Sequence, residues 1–190
     1  MKKLILIVSA MVALAFEGGA ATTPVEFSLF APPLSIPWCD DISGLRFDIL
    51  SGINRNVSGL DIGTLANLTS QDQAGLQLCG FYNHIGTGKG LLQIGGLLNR
   101  CDEDYKGVQL ASIYNDVGGK LTGASLAAIN TAKIANGLQF GIFNTTDTLI
   151  GMQFGIVNYA EDAEKGVQVG LVNVMPDAKI PVSVIVNIGF

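Results

Sequence analysis

The amino-acid sequence predicts an all-β repeat protein, a parallel β-solenoid of about ten coils of 14–16 residues each. Three observations predict it. One short unit recurs along most of the chain, and its residues alternate apolar and polar with a period of two. The junction between the two halves of the unit varies in length by one small residue.

The unit reads Gly-apolar-Gln-apolar-small and ends in Asn. Gln77, Gln93, Gln109, Gln139, Gln153 and Gln168 fall in one column, with Asp61, Ser125 and Ser183 in the same place and Arg46 opening it. Successive spacings from Arg46 are 15, 16, 16, 16, 16, 14, 14, 15 and 15 residues. Asn67, Asn83, Asn99, Asn115, Asn130, Asn144, Asn158, Asn173 and Asn187 close the units after the first. The clearest copies are residues 137–144, 151–158 and 166–173. Alternation around the Gln makes each half extended rather than helical. Stretches such as 145–147 and 161–165 are polar turns.

The junction separates two architectures. Late units carry one small residue there, Gly141, Gly155 or Gly170. Earlier ones carry two, as in Gly63-Thr64, Cys79-Gly80, Gly95-Gly96 and Ala111-Ser112. An extra residue inside a continuous strand would turn every later side chain to the other face. A bend tolerates it, because small residues accept unusual dihedrals. Two arms meeting at a corner and closed by a polar turn make one coil. Stacked about 4.8 Å apart, ten coils form a rod roughly 50 Å long. On this reading Leu76, Leu78 and their equivalents fill an apolar interior. The Asn residues occupy a second corner, and the Gln column forms a ladder inside or on one face.

The alternative is a small antiparallel up-and-down barrel in the outer membrane. Ten strand-like units and the tail Val184–Phe190, which resembles the assembly signal of such barrels, speak for it. Against it, the strands are short for a span of about 9–11 residues. The uniform units also lack the short-turn, long-loop alternation of barrels, and no aromatic girdle is present.

Residues 44–190 form the repeat domain, and residues 22–43, broken by Pro24, Pro32, Pro33 and Pro37, read as an N-terminal cap. Pro181 lies in the last unit, which caps or docks the other end. Residues 1–21 read as a signal peptide, with Lys2 and Lys3 ahead of the apolar run Leu4–Ala15 and cleavage after Ala15 or Ala21. Twelve apolar residues fall short of the roughly twenty of a membrane helix. The chain is therefore expected to be exported, to the cell surface, periplasm or outer membrane.

Composition narrows the function. Of 190 residues 48% are apolar and 14% charged, 24 are glycine, and the net charge is −5. Such a chain has surface to bury and is not disordered. Its acidity argues against nucleic acid and against adsorption to anionic membranes. Cys39, Cys79 and Cys101 are too few for a disulfide framework, though one pair could form. His84 is the single histidine, so a transition-metal site is not expected.

The Gly-Leu-Gln-x-Gly-Leu-x-Asn unit, repeated every 14–16 residues behind a signal peptide and ending in an Asn-x-Gly-Phe tail, resembles a family of bacterial surface-repeat proteins of unknown function. The likeness covers roughly residues 42–190 and implies a surface location without any activity to carry over. The units around Arg46, Asp61 and Ser125 depart from its Gln pattern.

Candidate chemistry is thin. Asp40-Asp41 and Asp102-Glu103-Asp104 could hold Ca²⁺ but lack the nonapeptide of calcium-binding rolls, and read as solvated turns. A glycosidase or lyase needs carboxylates held across a groove, and no pairing is visible. His84 reads as an exposed turn residue. Residues 86–90 lack the phosphate-loop spacing and read as a turn. The sequons at Asn56, Asn67 and Asn144 read as structural. No catalytic, cofactor-binding or metal residue is assigned. The expected function is that of a non-catalytic exported surface or envelope protein, with a protein or glycan partner on its repeat face. A carbohydrate-active β-helix enzyme is the remote alternative.

Overall fold

The structure, a computed structural model, describes residues 22–30, 34–36 and 40–189. The segment read as a signal peptide, Cys39 and Phe190 lie outside them. The described chain forms one sheet of 14 strands that winds through about 9 turns. Successive coils run parallel and in register. Asn115 pairs with Asn130, Asn130 with Asn144 and Asn144 with Asn158, while Gln139 pairs with Gln153 and Gln153 with Gln168. Parallel neighbours exclude the antiparallel barrel, and the fold is a β-solenoid.

Each coil bends at the small-residue slot. Strand pairing stops at Gly80-Phe81, Gly96-Leu97, Gly141-Ile142 and their equivalents. Coils of different length therefore keep their Gln and Asn columns aligned, because the extra residue is absorbed at the bend. The polar edge absorbs the rest: Val117 pairs with Ala132 and Lys120 with Ile134, so three steps along one coil match two along the next.

The sidedness of the coil reverses the expectation. Gln77 is 1% exposed while Leu76 beside it is 37% exposed. Leu78 and its equivalents also face outward. The Gln and Asn columns fill the half of the interior next to the bend. Apolar filling is confined to the half next to the polar edge, where Ile85, Cys101, Val117, Ala132 and Ala160 follow each Asn by two residues and pack with Tyr105, Leu121 and Leu149. The Asn side chains are therefore buried partners of Gln rather than residues of a second corner.

Two ladders of amide hydrogen bonds run through most of this interior. Gln93 Nε2 donates to Gln77 Oε1 at 2.7 Å, Gln109 to Gln93 at 2.7 Å, Gln153 to Gln139 at 2.7 Å and Gln168 to Gln153 at 2.8 Å. The Asn ladder points the other way: Asn83 Nδ2 donates to Asn99 Oδ1 at 2.9 Å, and the pattern continues through Asn99, Asn115, Asn130 and Asn144 to Asn158 and Asn173. The second N–H of each Asn crosses the coil. Asn99 Nδ2 donates to Leu110 O at 2.7 Å and Asn144 Nδ2 to Phe154 O at 2.8 Å, tying one arm to the arm that follows it. A primary amide carries two donors and one strong acceptor, so this arrangement satisfies both donors and the acceptor at once.

The glycine that stands two residues before most members of the Gln column has a backbone reason. Gly123, Gly137 and Gly151 have φ of +132°, +143° and +146°. A β-carbon on Gly137 would sit 2.0 Å from Gly123 O in the coil before. Only glycine accepts both the dihedral and the contact.

The ends differ from the repeat. The strand Thr22–Phe30 stacks parallel on the strand Asp41–Asn54 with Glu26 opposite Arg46, so the column opens one coil earlier than Arg46. The short strand Leu34–Ile36 then pairs antiparallel with Thr22–Phe30. At the other end the strand Val182–Gly189 also lies antiparallel, with Asn187 opposite Gln168 and Ser183 opposite Asn173. Ser183 is thus outside the Gln column, because Pro181 and the turn before it reverse the chain.

Two substitutions test the inverted interior. Asn144→Leu removes the crossing bond and two ladder bonds and is expected to lower stability in urea by about 3 kcal/mol. Phe143→Ser, on the half-exposed neighbour, is expected to lower it by less than about 1 kcal/mol. The Gln ladder also breaks at Ser125, whose hydroxyl donates to Asn130 Oδ1 at 2.7 Å, leaving Gln109 Oε1 without a protein partner among the described residues. Ser125→Gln is expected to rejoin the ladder and raise stability by about 1 kcal/mol, read from the same unfolding curves.

Candidate functional site

Two features stand out from the uniform stack: a sealed cluster of charges at its N-terminal end and an uncharged outer surface. In the first, the Gln column becomes Glu26, Arg46 and Asp61 in successive coils. Arg46 binds Asp61 with two hydrogen bonds, Nε to Oδ1 at 2.7 Å and Nη2 to Oδ2 at 2.6 Å. Its Nη1 donates to Asn54 Oδ1 at 2.7 Å and to Leu68 O at 3.2 Å. Asn54 in turn donates to Glu26 Oε2 at 3.0 Å. Asp48 Oδ2 lies 3.1 Å from Arg46 Nε. Gly52 makes room for it, since a β-carbon there would meet the Asp48 carboxylate.

Three carboxylates thus share one guanidinium out of reach of solvent: Arg46, Glu26 and Asp61 are 0% exposed and Asp48 is 4% exposed. Burial pushes the Asp48 carboxyl up to about 7, against the pull of Arg46 and with the help of Asp61 and Glu26. A raised carboxyl pKa in a pocket is a mark of acid–base sites. Here the four side chains are sealed among the described residues, and neither groove described below reaches them. Asp61 instead works within the stack. A carboxylate only accepts, so Gln77 Nε2 donates to it at 2.8 Å and presents its carbonyl to the next coil, which sets the direction of the ladder that follows.

Several other titratable residues sit along the polar edge and bond to near neighbours. His84 lies in the strand Tyr82–Gly88 rather than in a turn, its ring stacked on Tyr82 and its Nε2 2.8 Å from Asp102. Partial burial acts to raise the Asp102 carboxyl, but hydrogen bonds from His84 and Arg100 hold it below the ordinary range. Thr87 donates to Glu103, and the backbone N–H of Lys120 to Asp104. Arg55 holds the Asp41 carboxyl below its ordinary range through a 2.7 Å ion pair. Among the described residues no group of three or more His, Cys, Asp or Glu is placed to hold a metal ion. Cys79 and Cys101 are free and buried, and burial pushes the Cys101 thiol up to about 12. Of the sequon asparagines, Asn67 and Asn144 are sealed in the interior.

The outer surface is the second feature. Four rows face outward around the bend: the residues before and after each Gln, and the two before each Asn. From Leu45 to Val172 none of these positions holds a charged side chain, and many are large and exposed, among them Phe81, Phe140, Phe143 and Leu171. Between the rows the small residues of the bend floor a groove of about 700 Å³ running over Gly96, Ala111, Ala127 and Gly141. A second groove of about 490 Å³ shares Phe140 and Gly141 and continues to Ile185. Ile185 has φ +74°, a strained value for a β-branched residue, at the bulge that seats the last strand. Sequence alternation announced these rows but placed them inside. The charge cluster was missed although Arg46 and Asp61 share a column, a pairing that itself announces an ion pair in a parallel stack.

The cluster makes stability depend on pH. The folded pKa of Asp48 is raised from 3.8 to about 7, so its contribution is fully present below about pH 4 and is lost as pH rises through 7. The unfolding midpoint is therefore expected to fall between pH 5 and about pH 8, and Asp48→Asn is expected to flatten that decline in a thermal melt followed by circular dichroism.

Comparison with protein families, with curated proteins and with solved structures gives no match in any of the three. The resemblance to bacterial surface-repeat proteins rests on the repeat residues alone.

Proposed function

We propose that this chain is a non-catalytic, exported repeat protein of the bacterial envelope or surface, acting as a structural or binding element. The observation that carries the reading is the distribution of chemistry in the coil. Polar side chains able to react are sealed in the interior or lie along the polar edge, and the broad outward rows are uncharged and apolar. Large exposed apolar surfaces mark interaction sites. The grooves are lined by aliphatic, aromatic and small residues, with no carboxylate among them, which supports a binding role over glycan hydrolysis. Few hydrogen-bond donors project from these rows, so an apolar partner fits them better than a glycan. The basic, apolar and small-residue order of the first 21 residues supports export.

Fractionation of cells producing the full chain, with mass spectrometry of its N-terminus, tests the reading. Recovery from the envelope or medium, shortened after Ala15 or Ala21, is the expected result. A full-length chain confined to the cytosol would overturn it.

A further inference from the structure

We propose that the bend edge of the solenoid is a lipid-docking surface. The rod lies along a phospholipid leaflet with the bend and its flanking rows among the acyl chains and the polar edge in water. The proposal deepens the envelope reading by naming the partner of the apolar rows.

The argument begins with how charge is distributed around the coil. The exposed charged residues, such as Asp104, Lys133 and Glu161, lie on or near the polar edge, opposite the bend, with the half-buried Lys120 among them. The rod is therefore amphipathic across its axis, as an interfacial helix is, but about 40 Å long at the coil spacing. Shape then selects among apolar partners. The uncharged rows occupy both arms and the bend between them, so they wrap an edge rather than form a flat patch. A second rigid copy laid on one arm leaves the other arm bare. A fluid acyl layer covers both.

Dehydrating the bend is also cheap. The groove floor exposes backbone, yet its N–H groups are already bonded from coil to coil: Gly96 N donates to Cys79 O at 2.9 Å, Leu97 N to Phe81 O at 3.0 Å and Gly141 N to Phe154 O at 3.0 Å. Backbone satisfied within the protein is the condition for contact with hydrocarbon. The tyrosines that reach solvent lie toward the polar side. Phe81, Phe140 and Phe154 stand on the rows nearest the bend; Tyr82 and Tyr114 share the row that borders the polar side with Phe143, and Tyr159 lies one row further out. Tyrosine kept to the boundary fits the place it takes at a water–lipid interface. With a net charge of −5, binding must come from apolar insertion, not from attraction to anionic headgroups.

Flotation of the full chain with pure phosphatidylcholine vesicles tests this independently of where the chain resides in a cell. The expected result is binding that is unchanged between 0.1 and 0.5 M salt, roughly the range over which surface charge interactions are screened away. Ile113→Glu with Ile142→Glu, both on the exposed bend row, is expected to weaken partition at least about tenfold, whereas Lys120→Glu with Lys133→Glu on the polar edge leaves it unchanged. Should the bend variant misfold by circular dichroism, fluorescence supplies the second readout: Trp introduced as Ile142→Trp is quenched by lipids brominated on the acyl chain, and Trp introduced as Lys133→Trp is not. Failure of the wild-type chain to float, binding only to anionic vesicles, or equal binding of the two charge variants would each overturn the proposal. So would a stable dimer that ignores vesicles. A chain found in the cytosol that still floats through its bend would sink the envelope reading and leave the lipid surface standing.

Discussion

The fold rests on the need of a buried primary amide to find several hydrogen-bond partners at once. An isolated Gln or Asn in a protein interior leaves polar atoms unsatisfied, at about 1–3 kcal/mol for each. A column of identical amides at the spacing of parallel strands removes that penalty, because each side chain offers its neighbour the group it lacks. The Gln and Asn ladders of this chain meet the condition with bonds mostly between 2.7 and 2.9 Å. The same condition fixes the register. A coil that slipped by one residue would bring Leu or Phe into the column and break the ladder on both sides. Length differences between coils are accordingly confined to the bend and the polar edge, where no ladder passes. The positive-φ glycines obey the same stacking rule on the backbone, since each after Gly44, which lies against Pro24, lies against the carbonyl of a glycine in the coil before it.

Alternation in the sequence was enough to establish extended arms, the variable small slot was enough to establish the bend, and both agree with the coordinates. Sidedness was not legible in the same way. A period of two divides the residues of an arm into two sets but does not say which set faces inward, and the ordinary rule that apolar residues are buried decided for Leu76 and Leu78. That rule runs one way only. What reverses it here is repetition: one buried Gln between leucines is a liability, while six in a column are a structure. The recurrence of Gln and Asn every 14–16 residues carried that information, and weighing side-chain type by column instead of by residue would have read it.

The N-terminal departures were legible in part. Arg46 and Asp61 were aligned with the Gln column, and opposite charges at one coil spacing imply a direct pair. Glu26 was hidden because it lies 20 residues before Arg46, outside the 14–16 residue period, and because the prolines nearby suggested an irregular segment. The sealed cluster combines three acids with one base, an arrangement that replacing by apolar residues often leaves unharmed or improves. Its persistence in a stack otherwise held by neutral amides is understandable if direction matters: an acceptor-only group at one end forces the Gln amides that follow it to align.

Stacked Gln and Asn side chains in parallel, in-register strands are also the internal grammar of amyloid, in which each new chain extends the ladder of the last. Nothing in the repeat itself says where such growth should stop. The antiparallel strands at the two extremities, Leu34–Ile36 and Val182–Gly189, supply that instruction. A further parallel coil meets a backbone running the wrong way and an edge already bonded on its inner side, so the polymer logic of the sequence is spent within one molecule. The chain is in effect a filament of fixed length, with its terminators written into the two outermost strands of its own sheet.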